Sequence, residues 1–218
     1  MKIALIGATG FVGSKILDEA LQRGHHVTAI SRHTDKLPKH ANLTVSQADV
    51  LDSDQLARLL AGHDVVISAF NPGRGSKAPD IFEQFVNGHR AIIHATKKAG
   101  ITRFLGVGGA ASLKTPSGQE FLDSPDFPKE YEAFKPGIRG TRELYYLLKK
   151  EPELDWVFLA PSVRIEPGTR TGKYRVGKDE ILYDSTGASR ISLEDYAVAM
   201  IDELERPQHH RERFTVGY

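Results

Sequence analysis

Residues Lys2 to Gly13 read KIALIGATGFVG. The apolar run from Lys2 to Ile6 has strand length, Gly7, Gly10 and Gly13 follow at three-residue spacing, and a helical stripe runs on through Val12, Ile16, Leu17, Ala20 and Leu21. That order predicts strand, tight turn, helix. Gly24 supplies a helix stop and His26 to Ile30 a second strand, which completes the opening half of a βαβ unit.

A turn of this kind serves phosphate binding. The first amides of a helix have no partner within it and carry partial positive charge, so the backbone of Thr9, Gly10, Phe11 and Val12 can cradle a diphosphate if no side chain blocks its approach. Gly7 permits the turn, Gly10 lets the diphosphate come close, and Gly13 lets the helix pack on its strand. The expected ligand is a dinucleotide. One that carries no 2′-phosphate calls for Asp or Glu at the end of strand 2, whereas a cation there suits the phosphate. Strand 2 ends in Ser31-Arg32, with Lys36 close behind, so NADP is favoured and NAD is also admitted.

Composition bounds the alternatives. A chain of 218 residues, 40% hydrophobic and 26% charged, fits one α/β domain over residues 1–218. A net charge of +1 gives no reason to expect a nucleic-acid partner, and the absence of cysteine removes disulfides and thiolate chemistry together. His25-His26 and His209-His210 are adjacent pairs without the spacing of ligands, so no metal is expected. No apolar stretch approaches the roughly 18 residues that span a bilayer, and no signal-peptide pattern precedes the first strand. The expected compartment is the cytoplasm, with a small molecule as partner and the oligomeric state left open.

The remaining pattern alternates strands and helices. Leu43 to Gln47 reads as strand 3, Asp52 with Gln55 as a helix cap ahead of Leu56, Leu59 and Leu60, and Val65 to Ala69 as strand 4. At the carboxyl end of strand 4, where open parallel sheets bind ligands, stand Ala69, Phe70 and Asn71, placed near a nicotinamide ribose. The loop on to Lys77 has no bulky apolar residue and reads as mobile. Pro79 opens a long helix with a buried stripe of Phe82, Phe85, Val86, His89, Ile93 and Thr96, on which His89 reads as a core histidine. Phe104 to Val107 is strand 5, Pro136 to Lys149 a helix, and Trp156 to Leu159 strand 6. Lys173 to Val176 and Ile181 to Tyr183 resemble a hairpin within a small capping segment, 160–192, over the ligand-binding edge. Ser192 with Asp195 caps a last helix, and Phe214 to Val216 ends the chain as a strand. The fold expected is a Rossmann-like, doubly wound parallel sheet.

GATGFVG, ADVLD, LAPS and SRISLEDYA together resemble the atypical short-chain dehydrogenase/reductases, the group that includes epimerase/dehydratase-like, NmrA-like and flavin or biliverdin IXβ reductase-like proteins. The resemblance covers nearly the whole chain. It implies that Asp49-Val50 contacts adenine, that Pro161 lies along the nicotinamide carboxamide, and that Ser112 is the serine of the catalytic set, although a Gly-Ala-Ser stretch is equally a plain loop. In the wider family a Tyr, acidified by a Lys one helical turn on, protonates a carbonyl oxygen. Tyr131 and Lys135 have that spacing, as do three other pairs in this chain. Lys135 precedes Pro136, which disfavours helical angles at Lys135 and so a single helix bearing both residues.

Three functions follow. The leading one is NADPH-preferring hydride transfer to a planar acceptor such as a flavin or quinone, which needs little beyond an open apolar shelf formed by Phe70, Asn71, Ser112 and the segment after Pro161. The second is a Tyr131-dependent epimerase, dehydratase or carbonyl reductase. The third is an NmrA-like sensor that binds dinucleotide without turnover.

Overall fold

The structure, a computed structural model, describes residues 1–73 and 77–218, so the expectation of a mobile loop before Lys77 falls partly on residues outside those described. Among the described residues ten strands and five α-helices follow in the order β1 (Lys2–Ile6), α1 (Gly13–Gln22), β2 (His26–Ser31), β3 (Leu43–Gln47), α2 (Ser53–Leu60), β4 (Val65–Ser68), α3 (Ile81–Lys98), β5 (Arg103–Val107), α4 (Lys135–Lys149), β6 (Asp155–Pro161), β7 (Arg164–Glu166), β8 (Arg175–Gly177), β9 (Arg190–Ser192), α5 (Leu193–Glu205) and β10 (Glu212–Gly217).

The main sheet runs β3-β2-β1-β4-β5-β6-β10-β8, parallel throughout except for β8. This is the doubly wound order, reversing between β1 and β4. Its central strands β1, β4, β5 and β6 are buried along most of their length because both faces are covered, whereas the edge strands β3 and β8 are largely exposed. On one face Ile3, Leu5, Ile67, Val157 and Phe214 pack against α1 and α5; on the other Ala4, Val66, Phe104, Trp156 and Phe158 meet α2, α3 and α4. The polar starts of two helices are closed as the sequence predicts. Asp52 accepts from the Gln55 amide at 2.9 Å and Ser192 from the Asp195 amide at 3.0 Å, caps of about 1 kcal/mol each.

Three local expectations are corrected. Arg175–Gly177 does not form a hairpin with Ile181–Tyr183 but pairs antiparallel with β10, whose outer edge would otherwise lack partners; Ile181 is buried and its amide donates to the Lys114 carbonyl. Phe82 leaves the buried stripe of α3, which instead runs through Ile81, Phe85, His89 and Ile92, while the Arg139 guanidinium lies 5.4 Å from the Phe82 ring centroid. Lys135 adopts helical angles (φ −52°, ψ −38°) in spite of the proline after it. The break comes one residue earlier, at Phe134 (φ −105°, ψ 0°), where a 3₁₀ segment over Lys129–Phe134 hands over to α4.

A second, two-stranded parallel sheet, β7 with β9, sits beyond the carboxyl end of β6. Its connecting loop is pinned by α5. The buried Asp195 carboxylate accepts from the Thr171 and Gly172 amides, both at 2.8 Å, and from the Tyr218 hydroxyl at 2.7 Å. Glu194 takes the Gly168 amide. These bonds hold the segment after Pro161 over the end of the sheet.

Candidate functional site: a dinucleotide cleft and an adjoining cavity

At the carboxyl ends of β1, β2 and β4 lies a cleft of about 320 Å³. Gly7 opens it, with φ +80° and its amide donating to the Ile30 carbonyl at 3.0 Å. A Cβ at Gly7 would stand 2.5 Å from the Ala69 carbonyl oxygen, and one at Gly13 would stand 2.1 Å from that of Gly7. Both positions are closed to side chains by backbone. Gly10 differs: a Cβ there would meet only the Gly7 oxygen, at 3.1 Å, so what it would fill is the open cradle itself. Helix α1 has no side-chain cap, and among the described residues the amides of Val12 and Gly13 donate to no backbone carbonyl. Amides without a carbonyl partner at a helix start beside that cradle fit a diphosphate.

The rest of the cleft places the other expected contacts. Thr9 Oγ1 and Ser31 Oγ bond at 2.9 Å, tying the glycine turn to the end of β2. Arg32 lines the cleft beside His33, a neighbour the sequence reading omitted, and its guanidinium reaches 3.5 Å from the Pro72 carbonyl. Val50 and Ala48 line the cleft next to β3; Asp49, between them, accepts the Leu51 amide at 3.0 Å. Ala69, Phe70 and Asn71 line the β4 side, together with Phe11 and Val12 from the turn.

Behind Phe70 stands His89. Its Nδ1 lies 3.0 Å from the Phe85 carbonyl, which can only accept, so the proton sits on Nδ1. The ring stacks on Phe85 at 4.5 Å and meets the Phe70 ring edge-on at 5.3 Å. Burial brings its pKa down to about 4, and the imidazole is neutral at physiological pH.

A second cavity, of about 710 Å³, opens off the first. Phe11, Gly108, Thr141 and Ile165 line both, so the two spaces meet there. Phe121, Phe127, Tyr131 and Ile138 form one wall of the larger space, and Pro161 to Pro167 form the other. Tyr131 thus faces the cavity, with its ring 6.4 Å from that of Phe127 and no described residue hydrogen-bonded to its hydroxyl.

Two expected catalytic side chains lie elsewhere. Ser112 is buried outside both linings, and Arg213 from β10 donates to its Oγ at 2.9 Å and to its carbonyl at 2.6 Å. Lys135 pairs with Glu132 Oε1 at 3.0 Å and lies 5.0 Å from the Phe127 ring centroid. The physical reason for the second separation is helical pitch. Residues i and i+4 share a face in an α-helix, but in 3₁₀ geometry the eclipsed pair is i, i+3, and Tyr131 belongs to the 3₁₀ segment. Sequence reasoning missed Thr141, Phe121 and Phe127. Thr141 could have been found as the residue one turn past Ile138 on the same face of α4; Phe121 and Phe127 sit where no periodicity marks them.

The chain is similar to several known proteins. Bacillus subtilis YwnB, an uncharacterised protein, is 39% identical over 219 residues, spanning 99% of this chain and 98% of its own length. A candidate epimerase from Bacteroides thetaiotaomicron is 48% identical with a TM-score of 0.91, over 100% of this chain and 96% of its own. A candidate NADH-flavin reductase from Streptococcus pneumoniae is 34% identical with a TM-score of 0.84, over 100% and 99%. The model of a family described as NAD(P)H-binding matches residues 7–204, from the first glycine of the turn through α5, and the chain belongs to that NAD(P)H-binding family.

Proposed function

We propose that this chain is an NADPH-preferring reductase of planar, electron-poor acceptors such as flavins or quinones. When bound, the dinucleotide supplies a hydride from the nicotinamide. The chain's own part is to hold the diphosphate on the amides at the start of α1, to offer Arg32 to a 2′-phosphate, and to seat the acceptor against Phe11, Phe127 and Tyr131.

One observation carries this reading. The two cavities meet at Phe11, Gly108, Thr141 and Ile165 with neither Ser112 nor Lys135 among their lining residues, so a paired Tyr/Lys acid has no counterpart at the crossing. A conjugated ring needs none: it takes the hydride at one ring atom, spreads the electron pair, and picks up its proton at another from water. The Streptococcus relative named as a candidate NADH-flavin reductase agrees with this class.

Stopped-flow oxidation of NADPH by a flavin or a quinone tests the proposal against a Gly10→Asp control, whose carboxylate would occupy the cradle. No turnover above that control would refute it. The unpartnered Tyr131 hydroxyl in the cavity favours a second reading, in which Tyr131 protonates a ketone. On that reading Tyr131→Phe lowers turnover at least about a hundredfold without altering cofactor affinity.

A further inference from the structure

The larger cavity has a charged rim that hydride transfer does not use. Arg164 and Glu166 stand two residues apart on β7, so strand alternation sets them on one face, and both line the cavity. Neither side chain pairs with any described residue. Among the described residues Arg23, Arg103, Arg142, Arg170, Arg190 and Arg213 each hold a carboxylate; Arg164 holds none, and it differs from other arginines without one, such as Arg90, in lining the cavity. An exposed guanidinium without a carboxylate, across a cavity from an aromatic wall, can take an oxyanion on a ligand whose ring lies against the aromatics.

We infer that Arg164 binds a phosphate carried on a flexible arm of the acceptor, so that a flavin mononucleotide is preferred to the same flavin without phosphate. This rests on the reductase reading of the cavity and names its substrate class. A space of about 710 Å³ is within the range that holds a three-ring system and its arm. Glu166 lies two residues along the same strand face: its carboxylate repels a phosphate, which places the anion at Arg164 and leaves Glu166 as a brake on affinity.

The experiment is a flavin-fluorescence titration of the NADP⁺-loaded protein with FMN and with riboflavin, run beside NADPH oxidation by the same two flavins. FMN should bind about tenfold more tightly, as a charge-assisted guanidinium–phosphate contact allows, and the advantage should shrink as salt rises. Arg164→Ala should bring FMN down to the riboflavin level, Arg164→Lys should keep part of the difference, and Glu166→Gln should tighten FMN alone. Equal binding of the two flavins by the wild type, no binding of either, or a loss in Arg164→Ala common to both, overturns the assignment. Reduction of both flavins with equal affinity sinks Arg164 and leaves the reductase reading standing. Selective FMN binding without reduction does the reverse.

Discussion

The dinucleotide cleft and the adjoining cavity are built on different principles. The cleft is mostly backbone: amides at the start of α1, a Gly7 turn closed against the Ala69 carbonyl, and Gly13 packed on the Gly7 carbonyl, within a single short stretch and the ends of two neighbouring strands. The cavity is mostly side chain, with Phe11, Phe121, Phe127, Tyr131 and Ile165 brought together from segments far apart in the chain. Backbone recognition fixes what is bound; a wall of side chains can be changed residue by residue without disturbing it. The first region therefore defines a family and the second a substrate.

The sharpest way to break that contrast is at the glycines. Gly13→Val should lose stability by several kcal/mol, because its Cβ would fall 2.1 Å from a backbone oxygen that cannot move without unmaking the turn. Gly10→Asp should melt within a few degrees of wild type yet lose dinucleotide binding by more than about a hundredfold, because its side chain meets the cradle and not the core. Calorimetry and thermal melts on the pair separate the two roles. Similar melting points would show that Gly13 is not the packing position described.

How far the sequence could be read follows the same division. β3 spans Leu43–Gln47 as expected, and the Asp52 and Ser192 caps form because a cap needs only residues three apart. Ser112 was beyond reach for the opposite reason. Its hydroxyl is taken by Arg213, 101 residues along the chain, and no local pattern encodes that pairing. β8 is a similar case, since whether a short strand folds back on its neighbour or joins a sheet edge depends on which edge is left open. At Tyr131 and Lys135 the spacing was legible but the pitch was not. The two side chains would share a face only if the α-helix began four residues earlier, at Tyr131.

Next in size is the histidine behind the cleft. His89 has its pKa moved from the ordinary 6.5 to about 4 by burial, so below pH 6.5 the unfolded chain takes up a proton that the folded one refuses. Its contribution to stability is fully present above pH 6.5 and is lost as pH falls to about 4, up to about 3 kcal/mol in all. Urea unfolding from pH 7 to 4 should therefore show a steeper loss in wild type than in His89→Gln. Parallel curves would mean that the imidazole is reached by water or finds a partner. A smaller effect is expected at Arg32. Arg32→Ala should raise the NADPH KM about tenfold, the value of one exposed charge-assisted contact, with little change for NADH. Equal losses for both cofactors would place Arg32 outside the phosphate's reach.

The smallest effect is expected where a catalytic acid was sought. Tyr131 lines the cavity, but Lys135 is held by Glu132 and lies against Phe127, so the lysine of the expected pair does not stand ready to acidify the phenol. With a conjugated acceptor the proton comes from water, and Tyr131 contributes its ring as part of the wall. Tyr131→Phe keeps that ring and should change flavin turnover less than about threefold, with the same pH profile as wild type. Tyr131→Ala removes the ring and should instead raise the acceptor KM while leaving the NADPH KM alone. A large fall in turnover for Phe, with KM intact, would mean that the hydroxyl does chemistry at the crossing and that the cavity is not a mere wall. The contrast between a backbone cleft that binds and a side-chain cavity that only shapes would then fail at this residue.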